Sequence, residues 1–120
     1  MIRWIIISGA YKEEKQFLKR IQESYQNEND FPVVHYLNHR VRGKDDVERE
    51  GIQIRLLAES YDKQDVMIVS DNAQMVRNFR ELGYLVYNID PNMKKKKENS
   101  FTSLLEFYDS ILANWNVKEA

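Results

Sequence analysis

The chain has 120 residues, enough for one domain with a buried core, and its 42% hydrophobic and 31% charged residues are the mix of a soluble globular protein. A net charge of −1 argues against a generally basic nucleic-acid coat, so any basic patch must be local. With no cysteine and two histidines, disulfides and thiolate metal sites are excluded and a structural zinc site is disfavoured, a composition that fits a reducing cytoplasm.

Ile2 to Ser8 (IRWIIIS) is a continuous β-branched run ended by Gly9, the pattern of a strand covered on both faces in a parallel sheet. Its apolar centre, Trp4 to Ile7, is too short for a membrane span or a signal-peptide core. From Lys12 to Gln26, Phe17, Leu18, Ile21 and Tyr25 recur at helical spacing. Phe31 to Leu37 reads as a second strand, with Pro32 tolerable only at its start. His35 falls within this strand and reads as structural.

Asn38 to Lys44 (NHRVRGK) is a basic loop, after which Asp45 or Asp46 can cap a helix reaching about Tyr61. Gly51 weakens that helix and leaves room for a break or restart near it. Asp65 to Asn72 (DVMIVSDN) is a buried strand with a polar corner, followed by a helix over Ala73 to Leu82 that Gly83 stops. Tyr84 to Ile89 is the fourth strand. Asp90 to Asn99 is a loop carrying Lys94 to Lys97, and Asn99 or Ser100 can cap a last helix running to about Trp115.

The order βαβαβαβα requires right-handed crossovers, hence an α/β fold: a three-layer α/β/α sandwich of about four mainly parallel strands in a single domain. Parallel strands put their carboxyl ends on one edge, where ligands of such folds sit. Ser8, Gly9, Asn38 to Arg42, Ser70 to Asn72 and Asp90 to Lys97 are therefore expected along that edge. Asp71 with Asn72, and Asp90 with Asn92, offer hard oxygen ligands suited to magnesium, while Arg40, Arg42 and Lys94 to Lys97 suit a phosphate. His39 stands in the basic loop, where contact with such a ligand is the minority reading. The bland alternative is that Asp71 or Asn72 only caps the following helix and the lysines are a solvated loop. No Ser/His/Asp or Cys/His set, phosphate loop or dinucleotide fingerprint is present.

Three stretches in order resemble the haloacid dehalogenase (HAD) superfamily, in particular the phosphatase domain of polynucleotide kinase 3′-phosphatases. Ile5 to Gly9 (IIISG) is similar to the second motif, whose serine binds the substrate phosphate. Gly43 to Glu50 (GKDDVERE) is similar to the segment of the third motif, with Arg49 at the position of the phosphate-steadying lysine. Val66 to Val86 is similar to the fourth-motif region, with Ser70, Asp71 and Asn72 where an acid pair helps hold magnesium. The resemblance implies phosphate contacts from Ser8, Gly9, Arg49, Lys94 and Lys95, a magnesium ion on Asp71 and Asn72, and a phosphorylated small molecule or nucleic-acid end as ligand. The first motif, which carries the aspartate nucleophile, has no counterpart, so the implied domain is non-catalytic.

Glu50 to Ala58 (EGIQIRLLA) and Asp65 to Val86 also look like PIN or NYN-type nucleases. In those families clustered acids assemble a magnesium site; here Gln53 replaces one acid and Asp71 stands without a second nearby. A third expectation is a protein-interaction module with no membrane partner, a homodimer through the last helix, whose Phe101, Phe107, Tyr108 and Trp115 exceed what one packed face needs.

Overall fold

The computed structural model describes residues 1–38 and 43–115. In chain order the elements are β1 (Trp4–Gly9), α1 (Glu14–Asn27), β2 (Val33–Asn38), α2 (Lys44–Ala58), β3 (Val66–Ser70), α3 (Ala73–Glu81), β4 (Leu85–Ile89), β5 (Ser100–Phe101) and α4 (Leu104–Phe107), which continues as a π-helical turn over Tyr108–Leu112. The chain forms two compact units, Met1–Ala10 with Pro32–Asn88 and Tyr11–Phe31 with Ile89–Ala120.

The first unit holds the parallel strands in the order β2-β1-β3-β4. β1 pairs directly with β3, Ile6 lying opposite Ile68 and Ser8 opposite Ser70. Ile5, Ile6 and Ile7 of β1 and Val66, Met67, Ile68 and Val69 of β3 are at most 2% exposed. Successive strand residues point to opposite faces, so both strands are covered on both sides, as the α/β/α class requires. On one face Ile6, Val66, Ile68 and Val86 pack with Ile54 and Ala58 of α2 and with Met75, Val76 and Phe79 of α3. At the start of β1 the Trp4 ring stacks on Tyr61 at 4.0 Å, and the Tyr61 hydroxyl meets His35 Nε2 at 3.1 Å, which fixes the structural role expected of His35.

In the second unit α1 buries Phe17, Ile21 and Ser24. The Phe17 ring meets Tyr108 edge-on, Ser24 Oγ lies 2.7 Å from the Tyr108 hydroxyl, and Arg20 pairs with Asp109 at 2.6 Å. Phe31 packs edge-on against Tyr25 and Trp115. Asp90 N–H donates to the Phe101 carbonyl at 2.8 Å, and β5 is thus a fifth strand, of two residues, beyond the four expected.

Four local expectations are corrected. α2 runs unbroken through Gly51, and the glycine is explained by the neighbouring helix, since a Cβ there would stand 3.3 Å from Met75 Sδ of α3. Its N-cap is Gly43, leaving Asp45 and Asp46 in the first turn, where they favour the helix dipole. The last helix starts at Leu104 under a Ser103 cap, because Asn99 takes φ +53° and Ser100 enters β5. Its aromatic residues are interior: Phe101, Phe107 and Trp115 are at most 7% exposed and Tyr108 is half-buried, so they form no exposed docking face. No described helix is long and apolar enough to cross a membrane.

Candidate functional site at the carboxyl edge of the sheet

The parallel register brings the ends of four strands into one row. Ser8 lies opposite Leu37 on one side and Ser70 on the other, and Ser70 opposite Asn88. Gly9 follows Ser8 at φ +135°, a conformation side chains resist, and from it the Ala10 N–H points at Asp71 Oδ2, 3.4 Å away.

Beyond β3 the corner is held by its own polar groups. Ser70 Oγ accepts from the Asn72 N–H at 3.1 Å, and Asn72 Oδ1 accepts from the N–H groups of Gln74 and Met75 at 2.9 and 3.1 Å. Asn72 is thus the N-cap of α3. The capping alternative holds for Asn72, whose carbonyl oxygen is engaged by the helix, and not for Asp71, which turns towards Ala10.

The residue that gives this edge its character comes from α2. Glu50 is fully buried, and the Ser8 hydroxyl, equally buried, donates to its Oε1 at 2.5 Å. Glu50 Oε2 is also buried and has no hydrogen-bond partner among the described residues. A carboxylate in that state is costly to bury and calls for a compensating group. Asp71 responds to the same surroundings. Although the residue reaches solvent, loss of hydration around its carboxyl raises its pKa; the Ala10 N–H works the other way, and the charge of Glu50 raises it further.

Glu50 was not among the residues read as functional from the sequence. The signal was there in its spacing: Val47, Glu50, Ile54 and Ala58 fall on one helical stripe, so the acid occupies an apolar position. Arg49, one residue earlier, is exposed, as is Gln53. Lys94 and Lys95 are exposed and belong to the second unit. In that unit Lys96 donates to the Ser100 carbonyl at 2.6 Å, lies 3.5 Å from Glu106 and sits 4.1 Å over the Phe101 ring, which makes it a fastening for β5. Asp90 Oδ1 accepts from Asn92 N–H at 2.9 Å within a turn. His39, Arg40 and Arg42 lie outside the described residues.

Among the described residues no group of three or more Asp, Glu, His or Cys side chains is placed to hold a metal ion. The pair Glu50 and Asp71 therefore does not fit zinc, which takes a closed protein cage or at least three protein ligands. Magnesium differs, since it keeps several waters and takes one or two carboxylates together with phosphate oxygens. No family model, curated protein or solved structure matches the chain.

Proposed function

We propose that the first unit binds a phosphorylated ligand, a nucleotide or a nucleic-acid end, at the carboxyl edge of its sheet, with magnesium between the phosphate and the carboxylates of Glu50 and Asp71. The observation that carries this reading is the buried Glu50 carboxylate with one oxygen unpartnered among the described residues, near an aspartate whose proton affinity is raised by loss of hydration and further by the charge of Glu50. Placed directly against two carboxylates, a phosphate is repelled; Glu50 and Asp71 would hold a divalent cation, which would supply the positive charge that offsets this. The chain's own part is positional. Ser8 holds Glu50 through Oε1, the Ala10 N–H steadies Asp71, and the Asn72 cap fixes the corner from which Asp71 projects.

The reading is that of a HAD-like domain without the phosphoaspartyl reaction. It is supported by the three similar segments; the direct pairing of β1 with β3 departs from that family's sheet, whose central strand carries the nucleophile, and leaves no strand between them to supply one. One observation favours a second reading, a magnesium-dependent phosphatase or PIN/NYN-like nuclease with an atypical site: Glu50 supplies the second acid that the sequence alone lacked near Asp71.

Thermal unfolding of the wild type, Glu50→Gln and Asp71→Ala, with and without magnesium and a panel of nucleotides and 3′-phosphorylated oligonucleotides, tests the proposal. A ligand present at 100 times its dissociation constant adds about 2.7 kcal/mol. The expected result is a rise in melting temperature that needs both magnesium and phosphate and that Asp71→Ala abolishes. No shift with any ligand sinks the phosphate-site reading, and magnesium-dependent cleavage of RNA or release of phosphate replaces it with the enzyme reading.

A further inference from the structure

Away from the sheet edge, α2 and α3 of the first unit leave an apolar groove between them, of about 420 Å³. Gly51, Met75 and Phe79 line it, with Val47, Ile52 and Leu82 at its sides. Beside it α2 projects two large apolar side chains one turn apart, Ile52 at 58% and Leu56 at 64% exposure, and Leu82 is 43% exposed. A recess and the projections able to fill one therefore lie on the same surface. Glu48 and Arg55, of opposite charge, also line the groove on α2.

We propose that this surface is an isologous dimer interface, its occupant the same face of a second copy of the chain. The charges decide for this occupant. Glu48 and Arg55 are equally distant along α2 from the point between Gly51 and Ile52. An antiparallel crossing of two α2 helices at that point sets Glu48 of each copy against Arg55 of the partner subunit, and it does so twice, as a two-fold axis demands. The same crossing carries each Ile52 to the other copy's groove. Gly51, with no side chain, lets Met75 of α3 come close to α2 at the crossing point. Arg55 already contacts Glu59 at 2.9 Å, an exposed pair one turn apart whose exchange for an intermolecular partner costs little.

The test is sedimentation velocity of the full chain over a concentration series, for the wild type, Ile52→Glu, Glu48→Arg, Arg55→Glu and the double variant Glu48→Arg with Arg55→Glu. The wild type dimerises and Ile52→Glu does not, with its circular dichroism and melting curve at low concentration unchanged. Each single charge reversal weakens the dimer by about tenfold or more, through two like-charge contacts, and the double variant restores it. A wild type that is monomeric throughout overturns the proposal, including one that takes up an amphipathic peptide in the groove. A dimer indifferent to Ile52→Glu and to the charge reversals overturns it equally, since its interface is then elsewhere.

Discussion

Replacing Ser8 by alanine is the sharpest probe of the edge. Ser8 and Glu50 are both fully buried, and their hydrogen bond is short, 2.5 Å. A hydrogen bond to a charged group is worth about 1.5–3 kcal/mol, and its loss leaves the carboxylate with neither oxygen satisfied by the contacts described above, so Ser8→Ala should cost about 3 kcal/mol. For a chain of this length that is a fall of about 12 °C in melting temperature. Glu50→Met behaves differently. It removes a buried charge, and the hydroxyl left behind can rotate to another acceptor, so its cost should be about 1 kcal/mol or less. With both changes made the site is apolar, and stability should return to within about 1 kcal/mol of the wild type or exceed it. Guanidinium unfolding of the four proteins at pH 7 closes the double-mutant cycle, with an expected interaction energy of about 2–4 kcal/mol. The reasoning is refuted if Ser8→Ala lies within about 0.5 kcal/mol of the wild type while Glu50→Met costs about 3 kcal/mol, for the carboxylate is then satisfied without Ser8.

Asp71→Asn should reveal a pH dependence of stated sign. The raised pKa means that the folded state holds the proton more tightly, so the wild type loses stability as pH rises from the ordinary aspartate value of 3.8 through the folded value. The asparagine variant should match it below that window and be the more stable above it, as urea melts at pH 3 and pH 7 would show. At the foot of α3, Asn72→Ala should cost about 1 kcal/mol and Asn72→Asp should recover most of it, because only the cap is lost. In the second unit the Thr102 hydroxyl donates to Glu106 at 2.6 Å and, with Lys96 beside it, holds this carboxyl below its usual value. The stability it adds is present above pH 4.5 and is lost as pH falls through the folded value. Thr102→Val should move the carboxyl titration, followed by NMR, back upward; an unchanged curve would assign the effect elsewhere.

The strands were legible because their β-branched runs are continuous and bounded by Gly9, Pro32 and Gly83, and every parallel strand was placed within two residues of its observed start. Local capping was less legible. Asp71, Asn72, Asp45 and Asp46 are all chemically able to cap a helix, and the choice among them depends on which N–H groups the folded corner presents. At the site, position was readable and membership was not. Ser8 and Asp71 sit at strand ends that topology alone aligns, whereas Glu50 reaches the edge through the packing of α2. A charged residue on an apolar stripe looks like an imperfection until its hydroxyl partner, 42 positions away, is known. Lys94 to Lys97 show the converse: the run is conspicuous in sequence, yet Lys96 has a fastening role that no count of charges suggests.

Neither compact unit is encoded by one uninterrupted stretch. The chain leaves the first after Ala10, returns at Pro32 and leaves again after Asn88. During synthesis α1 therefore emerges long before α4, with which it buries Phe17 and Ser24, and must wait through nearly sixty intervening residues of the other unit. No single cut in the gene can isolate either unit intact. A truncation after Asn88 strands α1 without its companions and exposes its apolar stripe, so fragments of this protein are candidates for chaperone capture and proteolysis in a way the whole chain is not.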